Sequence, residues 1–276
     1  MPAVTFDAPF VLGMMRLHET EAMHSANHLA DWIEARIEQG LRWFDHADIY
    51  GNGACETLFG QALRMRPALA QRLNVVTKAS IANDNPTPGS GKVKHYNASP
   101  AYLGKAIDDA LQRLNVECID HFLIHRPDLL MNAEATGRAL DDAITAGKIG
   151  AAGVSNHLPS QWRRLQNAMH QLLRANQIEL SIQHNAPLFD GSFADMCADG
   201  HAPMAWSPLA GGSLLEGEVG KVLKRIAREQ DSTPNALALA WLRTLPNRPV
   251  PVVGSVKPER IADMLNGPEL LSRDTW

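Results

Sequence analysis

The chain has 276 residues, 45% of them hydrophobic and 20% charged, with a formal net charge of -4 at neutral pH. That size fits one large domain or two small ones, and the composition supports a core without disulfides or metals. The mild acidity argues against a nucleic-acid surface, which needs clustered Lys and Arg. The most basic stretch, 221–228, alternates with apolar residues as a solvated helix face does.

The predicted elements run strand 10–13, helix 27–39, strand 41–45, strand 74–78, helix 100–114, strand 119–125, helix 133–146 and strand 149–155. They continue with helix 160–173, strands 179–183 and 203–206, helices 219–229 and 234–243, and strand 250–254. Ser99-Pro100 and Thr233-Pro234 each place a cap before a first-turn proline, and Gly147-Lys148 reads as a helix stop. The strands are continuous apolar runs, as expected of strands buried on both faces. Eight strands alternating with helices over this length predict an α/β fold, a (β/α)8 TIM barrel forming a single domain over residues 1–276. An open doubly wound sheet is the alternative, weakened because no GxGxxG follows the first strand. The irregular stretch 83–97 follows the third strand and belongs on a barrel's catalytic rim; the competing reading is an interdomain linker.

Cys55, Cys118 and Cys197 are widely spaced, odd in number and without a CxxC pair, which suits a reducing compartment. The stretch MPAVTFDAPFVLGMM lacks a basic start and a long apolar run, so no signal peptide is expected. No apolar run is long enough to span a membrane, and a cytoplasmic protein is the expectation. His18, His24 and His28 have irregular spacing that suits no metal site, although His18 follows the first strand and is placed to line a substrate mouth.

In a parallel barrel the carboxyl ends of the strands converge on one face. Asp45 and Tyr50 close the second strand, Lys78 ends the third and His125 ends the fourth, so all four can meet there. Each alone has a plain structural reading: a helix cap, a solvated lysine, a satisfied histidine. Together they suit carbonyl reduction. Hydride arriving at a carbonyl carbon creates an alkoxide that needs a proton, and a phenol with an ordinary pKa near ~10 is a weak donor. A nearby ammonium lowers that value, so Lys78 is expected to tune Tyr50, Asp45 to keep Lys78 charged, and His125 to orient and polarise the carbonyl oxygen.

FDHADIYG, VVTKA and DHFLIHRPD resemble the signature segments of the aldo-keto reductases. AGKIGAAGVSNH and STPNALALAWL extend the resemblance over nearly the whole chain, towards the family's bacterial oxidoreductase members. The resemblance implies a (β/α)8 barrel with an Asp45, Tyr50, Lys78, His125 tetrad, reducing small aldehydes or ketones with NADPH and no metal, with NAD as the alternative cofactor. By the same resemblance Ser155, Asn156 and Gln183 hold the nicotinamide carboxamide and Trp206, at a position usually tyrosine, stacks on the nicotinamide ring. Ser207, Leu209 and Gly211 wrap the pyrophosphate. Gly254, Ser255, Lys257 and Arg260 match the segment around the adenosine 2′-phosphate; Gly254 and Met264 depart from the family's usual lysine and asparagine there. The chain stops soon after that segment, so a short substrate cover and broad selectivity for small aldehydes are expected. The expected partner is a small-molecule carbonyl compound, with no nucleic acid or membrane, on a monomer or weak oligomer. A cofactor-sensing or accessory subunit with little turnover, and a barrel isomerase or lyase, are the competing classes.

Overall fold

A computed structural model describes residues 6–82 and 93–276. Strand β1 (Val11–Gly13) leads through short 3-10 turns into α1 (Ala26–Glu38), then β2 (Trp43–Asp45), α2 (Ala54–Met65), β3 (Asn74–Ala79), β4 (Ile81–Ala82) and β5 (His95–Tyr96). There follow α3 (Pro100–Leu114), β6 (Ile119–Ile124), α4 (Ala133–Thr145), β7 (Ile149–Ser155), α5 (Pro159–Gln166) and β8 (Asn176–Glu179). The chain closes with α6 (Ser192–Ala198), β9 (Met204–Trp206), α7 (Gly217–Glu229), α8 (Pro234–Thr244), β10 (Val250–Val253) and α9 (Pro258–Leu265). Eight strands form a closed barrel in the order β1, β10, β9, β8, β7, β6, β3, β2, while β4 and β5 make a separate antiparallel pair. The α/β barrel read from the alternation of elements is therefore the fold. Most of the stretch 83–97 lies outside the described residues; within it, His95 pairs with Ala82 and Tyr96 with Ile81.

Two compact units make up the chain: Met14–Asn176, and Met1–Gly13 with Gln177–Trp276. In the first, parallel register sets Asp45 beside Val76, Lys78 beside Leu123 and Ile124 beside Val154. This aligns the carboxyl ends of β2, β3, β6 and β7. Helix starts here follow their sequence signals. Ser99 Oγ accepts from the Tyr102 amide before Pro100, and α3 stops at Asn115, whose φ of 56° ends the helix in the left-handed region. Helices α2 and α3 approach so closely that a Cβ on Gly60 would stand 2.0 Å from the Arg113 carbonyl oxygen.

In the second unit Val11 pairs with Val252, Pro251 with Ala205, and Glu179 with Trp206. Thr233 Oγ1 caps α8 ahead of Pro234, as its sequence predicts. The Trp276 indole stacks on Trp241 with centroids 5.3 Å apart, beside a cavity of about 330 Å³ lined by α7, α8 and the last residues. No helix among the described residues is long and apolar enough to cross a membrane.

Two predicted boundaries are corrected. The strand expected at 179–183 lies at Asn176–Glu179, because Ser181 turns the chain: its amide donates to the His184 carbonyl and its hydroxyl accepts from the His184 amide. The helix expected at 160–173 ends at Gln166, whose side chain donates to the Gln171 carbonyl and accepts from the Leu173 amide, closing a turn in place of further helix. Helix α2 was not expected, because Gly51-Asn52-Gly53 directly before it reads as loop.

Candidate active site

Lys78 enters the barrel from β3 and is 1% exposed, beside Asp45 at 2%. An ammonium this deeply buried is tolerated only when paired and hydrogen-bonded. Its nitrogen donates to both carboxylate oxygens of Asp45 and to the His46 carbonyl, each at 2.7 Å. Burial alone would lower the lysine pKa; the charges and hydrogen bonds of Asp45 and Tyr50 outweigh it and hold the value above the ordinary one. Lys78 is therefore a permanent ammonium at physiological pH.

Tyr50 opens the turn Tyr50–Gly53, and backbone bonds tie the segment leading into it to β3: the His46 amide donates to the Val76 carbonyl and the Asp48 amide to that of Lys78 itself. The Lys78 nitrogen lies 5.2 Å from the centre of the Tyr50 ring, and the His125 ring stands edge-on to it at 6.2 Å and 87°. All four predicted catalytic side chains thus gather at the end of β2, β3 and β6 in one unit. The electrostatics correct one expectation. Burial pushes the Tyr50 phenol above its ordinary value, and the charge and hydrogen bond of Lys78 pull it only part of the way back. The phenol accordingly keeps its proton at neutral pH until a reaction demands it.

Burial first, then the charges of Lys78, Arg126 and Lys94, push His125 down to about 2, so this imidazole is neutral and can donate a hydrogen bond from only one nitrogen. Its amide donates to the Ala79 carbonyl, and Asn156 Nδ2 donates to its carbonyl at 3.3 Å. Asn156 also donates to Ser155 Oγ at 2.8 Å, from a backbone with φ of 59°. Ser155 and Asn156 therefore sit beside the tetrad, at the end of β7. Asp128 of the same HRPD segment accepts from the Ala98 and Leu130 amides, which makes it a loop anchor; no role had been read for it.

The other predicted residues belong to the second unit. Gln183 exchanges hydrogen bonds with Ser213, accepting from its hydroxyl at 3.0 Å. Trp206 ends β9 and is partly exposed. From there Ser207, Ala210, Gly211 and Gly212 all have positive φ, and Leu209 lies between them. A Cβ added at Gly211, Gly212 or Gly254 would meet nothing within 4 Å, so these stretches present open backbone. Lys257 precedes α9 without a side-chain cap bond, next to Ser255 and Arg260. Backbone of this kind, a positive helix end and two exposed cations fit a dinucleotide carrying phosphates, with Glu259 in the first turn opposing them. Among the described residues no group of three His, Cys, Asp or Glu is placed to hold a metal ion.

Sequence reasoning missed a layer behind the tetrad. Glu56 is fully buried, accepts from Thr77 Oγ1 at 2.5 Å and pairs with Arg113 Nε at 2.7 Å. Asp48 lies next to it; burial and the Glu56 charge raise its carboxyl to about 7.

The closed barrel defines the class of fold, and the comparisons give the family. The profile of the Aldo/keto reductase family matches residues 9–272, and the chain belongs to that family. It is similar to 6-dehydroglucose reductase of Agrobacterium fabrum, 39% identical over 96% of this chain and 91% of that protein. It is also similar to Oxidoreductase YdhF of Escherichia coli, 34% identical over 97% of this chain and 90% of that one. Among solved structures, a thermostable aldo-keto reductase, Tm1743, crystallised with epalrestat, superposes with a TM-score of 0.83 at 23% identity, covering 100% of this chain and 96% of its own. An aldo/keto reductase from Klebsiella pneumoniae in complex with NADP and acetate matches at a TM-score of 0.77 and 22% identity, over 96% of this chain and 87% of that one.

Proposed function

We propose that the chain is an NADPH-dependent oxidoreductase that reduces small aldehydes or ketones to alcohols, with Tyr50 as general acid. The observation that carries this reading is the buried Lys78 nitrogen, held by both oxygens of Asp45 beside the ring of Tyr50. Bound NADPH supplies the hydride. Tyr50 supplies the proton to the alkoxide oxygen, and Lys78 stabilises the tyrosinate left behind. His125, kept neutral, donates to the carbonyl oxygen and fixes its approach to Tyr50. Asp45 acts through Lys78, keeping it charged.

The residues assigned to the cofactor follow from the family resemblance and the fit described above. Ser155, Asn156 and Gln183 would hold the carboxamide, and Trp206 would offer a flat face to the nicotinamide. Ser207, Leu209 and Gly211 would follow the pyrophosphate. Ser255, Lys257 and Arg260, with Gly254 giving backbone access, would take the 2′-phosphate, which distinguishes NADPH from NADH. The free cysteines fit a reducing cytoplasm. The name carried by the Agrobacterium fabrum relative makes 6-dehydroglucose the first carbonyl compound to test.

The test follows NADPH absorbance with 6-dehydroglucose, propanal and glyceraldehyde, repeated with NADH. Carbonyl-dependent oxidation, faster with NADPH, is the expected result. Tight NADPH binding without turnover on any carbonyl overturns it and favours a sensing or accessory subunit.

A further inference from the structure

We propose that Glu56 is a positioning residue of this site: through Thr77 and Arg113 its carboxylate holds the Lys78 strand and the Tyr50 turn against each other from behind. The proposal rests on the reductase reading for its kinetic arm alone.

Glu56 is the third residue of α2 and its carboxylate is fully buried. One oxygen accepts the Thr77 hydroxyl at 2.5 Å and the other the Arg113 Nε–H at 2.7 Å. Thr77 immediately precedes Lys78 in β3, and neighbouring side chains on a strand point to opposite faces. Glu56 therefore grips the helix-facing side of β3 at the register where Lys78 projects to the other face. Arg113, in the last turn of α3, also lies beneath the Tyr50–Gly53 turn. A Cβ on Gly53 would stand 3.0 Å from Arg113 Cδ and 3.2 Å from its Nε. Gly53 has a φ of 84°, and its carbonyl accepts from Thr57 Oγ1 at 2.9 Å. The turn thus rests on the Arg113 side chain, which Glu56 fixes.

Two elements distant in sequence meet at this carboxylate, the strand bearing Lys78 and the end of α3, and the turn bearing Tyr50 rests on the Arg113 side chain that it holds. Stability is a weak reason for such an arrangement, because a buried ion pair replaced by apolar residues of similar volume often leaves a protein as stable as before or more so. What an apolar pair cannot reproduce is the directional grip on Thr77 Oγ1 and on the guanidinium. Asp48 adds to the case: it lies between Asp45 and Tyr50 in sequence, and Glu56, Arg113 and Lys78 all act on its carboxyl.

The experiment uses the full chain with Glu56→Gln, and with Glu56→Leu and Arg113→Met combined. Thermal melting, the NADPH dissociation constant by fluorescence, kcat and KM are measured for each. Tyr50 ionisation is read by ultraviolet difference titration against Tyr50→Phe. We expect the apolar pair to melt at or above the wild-type temperature, with NADPH binding unchanged. Its kcat should fall roughly 10- to 100-fold, the scale of a misplacement of ~1 Å. In the apolar pair, which removes the grip on Thr77 and one charge of each sign, Tyr50 should ionise at higher pH as Lys78 loses its set position, and Glu56→Gln, which keeps an acceptor for Thr77, should shift it less. Unchanged kcat and an unmoved tyrosinate transition would overturn the proposal, as would a kcat that falls only in step with melting. Should the wild type turn over no carbonyl, the reductase reading fails by itself, and the tyrosinate titration alone decides the role of Glu56.

Discussion

Replacing Asp45 by asparagine removes one charge from a pair that has almost no contact with water. The side chain keeps its shape, but Lys78 loses its counter-ion, and of the three 2.7 Å acceptors that satisfy its ammonium one becomes an NH2 donor and a second is weakened. Breaking a buried pair from one side costs about 3–5 kcal/mol, because the remaining charge is stranded. At roughly 2–4 °C per kcal/mol for chains somewhat shorter than this one, the melting temperature should drop by roughly 6–20 °C. The pH dependence has a definite sign. In the wild type the Lys78 pKa is raised, so its contribution is complete below the ordinary lysine value and is lost only as pH rises through the folded one. In Asp45→Asn burial dominates and depresses it, so the unfolded chain binds a proton that the folded chain resists. The deficit is then largest in acid and shrinks as pH climbs towards ~10. Urea unfolding of both proteins at about pH 6 and about pH 9 measures this. A deficit below about 1 kcal/mol, or one identical at both pH values, would refute the reasoning.

Burial lowers His125 to about 2, His46 to about 3, and His121 and His157 to about 4. Unfolding takes up protons that these folded imidazoles refuse, so stability should fall steadily as pH drops below about 6.5; a flat melting profile from pH ~7 to ~5 contradicts this. Asp48 has the opposite sign: its folded carboxyl keeps its proton up to about 7, so raising the pH costs stability. Asp48→Asn should therefore raise the melting temperature most above neutral pH and hardly at all below about pH 4. Gly60→Ala pushes a Cβ onto the Arg113 carbonyl and should cost roughly 1–3 kcal/mol or more, whereas Gly104→Ala, in open space within α3, should stabilise by about 0.5–1 kcal/mol. Chemical denaturation of the two variants side by side checks the contrast.

The barrel was readable because buried parallel strands leave continuous apolar runs, such as 250–253, and because Ser99-Pro100 and Thr233-Pro234 mark helix starts. The tetrad was readable for a related reason: once strand ends are placed, Asp45, Tyr50, Lys78 and His125 fall on one rim. Local chemistry hid other parts. Gly51-Asn52-Gly53 signals a loop so strongly that α2 behind it escaped notice. The apolar Ile182 within 179–183 suggested strand where Ser181 turns the chain. Glu56 and Arg113 look like surface helix charges in sequence, 57 positions apart, and only the packing of α2 on α3 buries them together. Gly60 was the one available hint, since a glycine inside a helix marks a close approach. The net direction of the Tyr50 pKa was also out of reach, because it depends on how far burial exceeds the pull of Lys78.

The central claim is that Tyr50 delivers the proton, and a single-turnover comparison of Tyr50→Phe with the wild type tests it most directly. Each protein is loaded with NADPH, binding is confirmed by fluorescence, and NADPH oxidation is followed after mixing with a reactive aldehyde. The variant should bind NADPH as the wild type does and react about 10²- to 10⁴-fold more slowly. A variant that oxidises NADPH at the wild-type rate would show that the proton comes from elsewhere.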